Sequence, residues 1–235
     1  MLISSRIRNT NCRFNIDTTN IFSVLQQLHS IYSEGSLLND LLDVNEYDVF
    51  IDVGTSIGTW TVPAALMGAR VYAYEPNSIA RDALMKNLSI NHIRNRVNVS
   101  PYALSSHVHT IGLNKVGSMS NIQSIDNKRS DALCPSGECV GLVKATTLDN
   151  ELIRIGGQVD FIKIDVEGAE LEVIKGAHAL IKQRPRILIE NHLGTDKDIM
   201  RKIHREIMSV RPDYNYKFIR DGIHLFVNIV HSFYY

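Results

Sequence analysis

The chain lacks any excess of charge of one sign. Its 235 residues carry 25 Lys and Arg against 25 Asp and Glu, so the formal net charge at pH 7 is zero. A neutral chain offers no global electrostatic attraction for nucleic acid or for an anionic membrane, and we expect neither as a partner. The hydrophobic fraction of 44% is typical of a globular protein with a full core.

Long hydrophobic runs and a disulfide framework are also missing. No apolar stretch approaches the ~20 residues that cross a bilayer. Residues 1–9 have neither the apolar core nor the cleavage site of a signal peptide. The three cysteines are an odd number and too few for a set of disulfides. Cys134 and Cys139 are interpreted as reduced loop residues, and we expect a cytoplasmic protein whose oligomeric state the sequence leaves open.

The first glycine-containing turn departs from two familiar phosphate-binding patterns. It follows the apolar run at 49–53 and reads Asp52-x-Gly54-x-x-x-Gly58, which is neither G-x-G-x-x-G nor a P-loop with its Lys. Glycines permit a sharp turn and leave room for a ligand to pack against the backbone. Asp52 ahead of the turn disfavours phosphate and favours a cation, unless Asp52 and Gly54 serve only to shape the turn.

A second carboxylate sharpens the prediction. Glu75 ends the next apolar strand, roughly 20 residues after the glycine turn, where an acidic residue can accept hydrogen bonds from two ribose hydroxyls. S-adenosylmethionine combines a ribose with an ammonium group and a sulfonium. The pattern therefore predicts this cofactor rather than NAD.

Strands alternate with helices from residue 49 onward, which predicts an α/β fold with a parallel sheet, right-handed crossovers and helices on both faces. Asp221-Gly222 between two strand-like runs predicts a terminal antiparallel hairpin. Residues 1–46 are predicted to be an N-terminal helical extension of two helices, ahead of one domain over 47–235. The pattern weakens over 101–145, where Asn114 to Asp131 are predicted to be a long loop or an irregular hairpin. The predicted strands are 49–53, 70–74, 96–100, 159–164 and 186–189, and the predicted helices are 59–67, 78–91, 147–155, 169–182 and 197–209.

Four carboxylates stand at the ends of predicted strands. In an open α/β sheet, ligands bind beyond the carboxyl ends of the strands, and charged residues are rarely buried without a partner or a function. One such carboxylate could arise by chance, but four at equivalent positions indicate a site. They are Asp52, Glu75, Asp165 and Glu190, with Glu167 and His192 close behind the last two.

These motifs resemble those of the FkbM family of S-adenosylmethionine-dependent methyltransferases. The block from Lys163 to Glu170 is the most specific of them. The family's glycine loop more often reads Gly-Ala-Asn-x-Gly, so this chain lacks an Asn side chain there, although Ser56 can still form a hydrogen bond. The motifs are Asp-Val-Gly-x-x-x-Gly at 52–58, Tyr-Glu-Pro at 74–76, Thr-Thr-Leu-Asp at 146–149, Phe-Ile-Lys-Ile-Asp-Val-Glu-Gly-Ala-Glu at 161–170 and Ile-Glu-Asn-His at 189–192.

The resemblance implies a Rossmann-like, seven-stranded methyltransferase sheet and O-methylation of a hydroxyl on a sugar, glycan or other small molecule. An alcohol is a poor nucleophile, so a base must take its proton as the new bond forms. We predict Asp165 or His192 as this base, with Glu167 and Glu190 orienting the acceptor. Asp165 and Glu190 could instead hold Mg²⁺, which would acidify the hydroxyl. Glu170 is interpreted as a first-turn helix residue favoured by the helix dipole. The predicted cofactor-binding residues are Asp52, Val53, Gly54, Thr55, Ser56, Gly58, Glu75, Pro76, Asn77, Ala103 and Leu104.

Two other functions stay open at this stage. The absence of a basic stripe argues against an RNA methyltransferase, but it does not argue against a protein acceptor. A protein that binds S-adenosylmethionine without catalysis is disfavoured, because a dead site has no reason to keep the charges of Asp165, Glu167 and Glu190.

Overall fold

The computed structural model of the chain describes residues 1–18, 21–116, 119–122, 138–191, 197–220 and 222–228. The chain forms two compact units, Met1–Pro101 and Tyr102–Tyr235. The predicted division between residues 46 and 47 stays a prediction. No helix within the described residues has both the length and the hydropathy that a membrane span requires.

The first unit alternates strands and helices after an N-terminal hairpin. Its last three strands pair in parallel, with Val49 opposite Arg70 and Val71 opposite Val97. The predicted strands 49–53 and 70–74 are confirmed at both ends. The elements are β1 (Leu2–Ile7), β2 (Thr10–Asn15), α1 (Ile21–Leu41), β3 (Val49–Val53), α2 (Thr61–Leu66), β4 (Arg70–Tyr74), α3 (Ser78–Ile90), a 3-10 turn (Arg94–Arg96) and β5 (Val97–Ser100).

The N-terminal segment differs from the predicted pair of helices. β1 and β2 form an antiparallel hairpin, and α1 runs as a single helix through the position where a second helix was expected to begin. The hairpin packs on α3, where the Asn15 N–H donates to Asn87 Oδ1 at 2.7 Å and the Arg13 N–H donates to Asn91 Oδ1 at 2.9 Å. This extension is therefore built into the first unit by buried amides.

The second unit begins with a small sheet and continues with the βα pattern. Two of its strands are parallel, with Phe161 opposite Arg186, and the final strands are antiparallel. The predicted terminal hairpin is confirmed, with Gly222 at a φ of 82° in its turn. The elements are β6 (Ala103–Leu104), β7 (His109–Val116), β8 (Met119–Ile122), β9 (Glu138–Thr146), α4 (Leu148–Ile155), β10 (Phe161–Ile164), α5 (Glu170–Lys175), α6 (His178–Lys182), β11 (Arg186–Glu190), α7 (Lys197–Val210), β12 (Tyr214–Arg220) and β13 (Ile223–Asn228).

The predicted α/β architecture is confirmed. In the first unit β3, β4 and β5 are parallel, and α2 and α3 connect them. In the second unit β10 and β11 are parallel, α5 and α6 lie between them in the chain, and β12 and β13 form an antiparallel pair, as the Asp-Gly turn predicted.

Residues 101–145 contain more regular structure than predicted. β6, β9, β7 and β8 form a four-stranded sheet in that order. Ala103, Ile111 and Ala145 make its small buried core, so alternate apolar residues give these strands one buried face. Residues 117–118 and 123–137, which include Cys134, lie outside the described part of the chain.

The helix predicted over 169–182 is instead two short helices, α5 and α6. The break lies at Gly176, whose carbonyl accepts the Asp149 N–H at 2.9 Å. The Asp149 carboxylate then accepts the N–H groups of Ala179 at 2.9 Å and Leu180 at 3.0 Å. Because these donors would otherwise lack partners in the first turn of a helix, Asp149 allows α6 to begin anew. A Cβ on residue 176 would collide with the Ser105 carbonyl oxygen, so glycine is required there.

Candidate cofactor and acceptor sites

The turn after β3, which we call the glycine loop (residues 54–59), is held by the end of β4. The N–H groups of Gly54 and Thr55 donate to the Tyr74 carbonyl at 3.0 and 3.3 Å. Gly54 has a φ of 79° and Ser56 a φ of 50°, backbone angles that an L-residue adopts at a cost. The exposed Ser56 is thus fixed in a strained conformation at the tip of the loop.

Glu75 is buried behind this tip. Its Oε2 accepts the Ser56 N–H and its Oε1 accepts the Asn77 N–H, both at 2.9 Å. Burial raises the pKa of Glu75 to about 7, and the charge of Asp52 adds to the shift while the two N–H donors oppose it. Each carboxylate oxygen has a second lone pair, so Glu75 can accept two further hydrogen bonds from a ligand.

Asp52 is fully buried, and its side chain supports the glycine loop through a hydrogen-bonded pair of threonines. The Thr61 hydroxyl donates to Asp52 Oδ2 at 2.6 Å, and the hydroxyls of Thr61 and Thr55 lie 2.8 Å apart. This arrangement links the end of β3 to the first turn of α2. The geometry favours a loop-shaping contribution of Asp52, an alternative that the sequence left open.

Gly58 is required for packing rather than for ligand space. Its φ is 93°, and an added Cβ would lie 2.6 Å from the Leu84 side chain of α3. The buried Asn87 of α3 also donates to the Ile57 carbonyl at 2.8 Å. The far side of the glycine loop therefore rests on α3, and the expected free space beside Gly58 is filled by protein.

The other predicted cofactor residues occupy three kinds of position. Val53 is buried at the end of β3. Asn77 caps α3, its Oδ1 accepting the Ile79 N–H at 2.9 Å, and the half-buried Pro76 precedes it. Ala103 and Leu104 form β6 in the second unit, with both side chains buried, so only their backbone could meet a ligand.

Asp165 lies at the end of β10 in the second unit. It lies beside Lys163, to which no role was assigned from the sequence. Lys163 Nζ lies 2.7 Å from Asp165 Oδ2, and the two side chains are 4% and 18% exposed. Alternate residues of a strand point to the same face, so the Lys-x-Asp spacing itself was a usable signal for this ion pair. The buried ammonium holds Asp165 as an oriented carboxylate.

The other predicted acceptor-binding residues follow Asp165 or lie at the end of β11. Glu167 is half-buried with a φ of 56°, which is unusual for a residue with a side chain. Glu190 ends β11 half-buried, and the next residue, Asn191, donates its N–H to the Gly222 carbonyl at 2.8 Å. His192 lies outside the described residues. Over the part of the chain that the structure describes, no group of three or more His, Cys, Asp or Glu is arranged to hold a metal ion.

A glycine loop after one parallel strand and an acidic residue at the end of the next are typical of proteins that bind a ribose-containing cofactor. Residues 52–218 match the Methyltransferase FkbM domain. The chain belongs to this family of methyltransferases.

Two curated relatives and one solved structure are similar to this chain. It is 27% identical over 204 residues to the hexuronic acid methyltransferase AglP of Haloferax volcanii, covering 81% of this chain and 78% of that protein. It is 27% identical over 163 residues to the methyltransferase sdnD of Sordaria araneosa, covering 58% of this chain and 63% of that protein. The crystal structure of the methyltransferase FkbM from Methylobacillus flagellatus KT has the same fold, with a TM-score of 0.56 and 20% identity, over 88% of this chain. This chain spans about half of that crystallised chain, at 55%.

Proposed function

We propose that this chain is an S-adenosylmethionine-dependent O-methyltransferase that acts on a hydroxyl of a sugar, glycan or other small molecule. The observation that carries the proposal is Glu75. It is a buried carboxyl at the end of the second core strand, fixed by two backbone N–H groups and able to accept two more hydrogen bonds. A ribose offers two neighbouring hydroxyl donors, and this carboxyl matches them.

The cofactor would be held chiefly by the first unit. Glu75 binds the ribose hydroxyls, the glycine loop from Gly54 to Gly58 lies against the amino-acid part, and Asp52 fixes the loop. Val53, Pro76, Asn77 and the β6 residues Ala103 and Leu104 complete the proposed set. When bound, S-adenosylmethionine supplies an electrophilic methyl group on a sulfonium, so the protein has to align the acceptor and manage one proton.

The acceptor-side roles fall to the second unit. Asp165 or His192 takes the hydroxyl proton as the new bond forms, and Glu167 and Glu190 accept hydrogen bonds that orient the acceptor. Lys163 keeps the Asp165 carboxylate in place through their 2.7 Å ion pair. In the alternative mechanism Asp165 and Glu190 would hold Mg²⁺, and the metal would supply acidification of the hydroxyl.

A sugar acceptor is supported by one relative. The protein from Haloferax volcanii is named a hexuronic acid methyltransferase, and the similarity covers most of both chains. The neutral net charge also suits a small acceptor better than a nucleic acid.

The test is methyl transfer to a set of acceptors. The chain is incubated with S-adenosylmethionine carrying a labelled methyl group and with free hexuronic acids, hexuronate-containing glycans, RNA or a protein mixture. We expect a labelled methyl ether on a sugar hydroxyl. Base treatment checks this product, because base hydrolyses a methyl ester of the carboxyl group but not an ether, and label released by base would contradict methylation of a hydroxyl. Label on RNA or protein alone would refute the sugar assignment.

A further inference from the structure

Glu170, the first residue of α5, forms side-chain hydrogen bonds with the segment that precedes the helix. Its Oε1 accepts the Gly168 N–H at 2.9 Å and the Val166 N–H at 3.4 Å. Both donors belong to the segment that joins β10 to α5, which we call the acceptor loop (residues 165–169). The residue was expected to serve only the helix dipole, but its contacts are with the loop.

The acceptor loop needs such a restraint. Glu167 and Gly168 have successive positive φ angles of 56° and 111°. A residue with a side chain adopts such an angle at a cost in free energy, and it keeps the angle only where surrounding contacts determine it. The two hydrogen bonds to Glu170 Oε1 come from the residues on either side of Glu167, and they hold its backbone angle.

Burial of the Glu170 carboxyl costs free energy, so we expect this side chain to have a role. The side chain is completely buried, and burial raises its pKa, opposed by the N–H donors. Among the residues that the structure describes, none provides a hydrogen-bond partner for the buried Oε2. A helix-dipole contribution does not need a buried carboxyl, since exposed first-turn acids provide it equally well.

We propose that Glu170 is a positioning residue that sets the conformation of the acceptor loop and thereby aims Asp165 and Glu167 at the acceptor. The statement about the loop stands on the geometry alone, and the consequence for the acceptor rests on the proposed function. Because both N–H groups donate to one oxygen, the side chain needs a single acceptor atom and no negative charge.

This geometry makes a sharp distinction between two substitutions. Glu170→Gln retains one acceptor oxygen and places an amide nitrogen where the unpartnered Oε2 lies, so it should preserve the loop. Glu170→Met retains the length of the side chain but removes the acceptor. Glu172→Met is the matched control, because Glu172 contacts Ser106 and Lys175 and not the loop.

Amide hydrogen exchange of the full chain without ligands measures the effect directly. In Glu170→Met the amides of Val166 and Gly168 should exchange about tenfold faster or more, as expected for losing their hydrogen bonds. In Glu170→Gln and Glu172→Met they should exchange as in the wild type. Equal protection in wild type and Glu170→Met would overturn the proposal, and so would a Glu170→Gln variant that loses protection. If Glu170→Met does not fold, the Glu170→Gln result decides alone.

Turnover provides the second readout. With a hexuronic acid acceptor, Glu170→Met should lower kcat by about tenfold or more and leave the KM for S-adenosylmethionine within twofold. Glu170→Gln should retain the wild-type kcat. A wild type that methylates no hydroxyl would refute the proposed function while leaving the exchange result intact. Wild-type kcat in Glu170→Met, with the loop amides exposed, would overturn the link between the loop and catalysis.

Discussion

Glu75 and Asp165 both end apolar parallel strands, but the protein stabilises the two carboxyls in different ways. Glu75 is held by two backbone N–H groups, and burial raises its pKa to about 7. Asp165 lies 2.7 Å from the buried ammonium of Lys163. The difference is encoded two residues earlier, where β4 has Ala73 and β10 has Lys163 on the same face of the strand as the carboxyl.

One sequence pattern, a carboxyl at the end of a parallel strand, can therefore provide two functions. Main-chain donors fix a carboxyl in space without supplying a full opposite charge, so the cost of burial dominates and the proton is bound more tightly. An ammonium fixes the carboxyl and also supplies a full opposite charge, which favours the ionised form. The first arrangement suits recognition of ribose hydroxyls, and the second suits an oriented carboxylate that acts on the acceptor.

The largest expected effect comes from removing the charge of Asp165. Asp165→Asn keeps the shape of the side chain, and turnover should fall by roughly 10²–10⁴, the range for lost general base catalysis. Cofactor affinity should change little, because Glu75 and the glycine loop are untouched. Initial rates of labelled methyl transfer measure the loss, with Glu172→Gln as a control.

Chelation separates the two roles that Asp165 could have. If Asp165 binds Mg²⁺, EDTA should abolish wild-type activity and Mg²⁺ should restore it, whereas a direct base predicts no effect of EDTA. Near wild-type turnover in Asp165→Asn would remove Asp165 from the mechanism and leave His192 as the candidate base.

The next largest effect concerns the buried ion pair. Lys163→Met should lower the free energy of unfolding by about 2–3 kcal/mol, slightly below the range for fully buried pairs because Asp165 is 18% exposed. The matched control is Lys175→Met, which breaks an ion pair of the same 2.7 Å length whose side chains are 42% and 30% exposed. That exposed pair should contribute less than about 1 kcal/mol. Urea denaturation measures both, and equal losses would contradict the distinction between the two pairs.

The smallest effect is a pH dependence of cofactor binding. The ionised form of Glu75 accepts ribose hydroxyls better than the protonated form, so affinity should rise as pH rises through its pKa of about 7 and then level off. For one group with this pKa, the affinity at pH 8 should be about tenfold higher than at pH 6. Calorimetry at several pH values measures it. The Glu75→Ala variant is the control, because titration of the cofactor itself persists there, and a parallel pH profile in the variant would exclude Glu75 as the cause.

The core strands and the terminal hairpin were predictable because local pattern alone defines them. Buried runs such as Val49–Val53 carry β-branched and apolar residues, and Gly222 marks the turn. The N-terminal hairpin also left a signal, since Cys12, Phe14 and Ile16 are buried at alternate positions of β2 and just beyond it. That signal was missed because the partner strand β1 has no regular alternation of apolar and polar residues, and its turn, with Arg8 at a φ of 48°, contains no glycine.

Other features depend on contacts that a linear pattern does not contain. The break between α5 and α6 depends on Asp149, which lies about 30 residues away from the N–H groups that it accepts. This contact also gives the Thr-Thr-Leu-Asp motif a structural role. The loop-facing side chain of Glu170 and the support of Ile57 by Asn87 likewise arise from tertiary packing. Sequence therefore predicted the strand-end carboxylates, and the Lys-x-Asp spacing was a usable signal for the partner of Asp165, whereas the N–H donors to Glu75 became visible only in three dimensions.

Glu75 is the residue on which the proposed binding of S-adenosylmethionine depends most. The most direct measurement is titration calorimetry of the wild type and Glu75→Ala with S-adenosylmethionine, S-adenosylhomocysteine and NAD. We predict that the wild type binds the first two and not NAD, and that Glu75→Ala weakens binding by about 1–3 kcal/mol through loss of charge-assisted hydrogen bonds. Unchanged affinity in Glu75→Ala, or binding of NAD in preference to S-adenosylmethionine, would contradict the account.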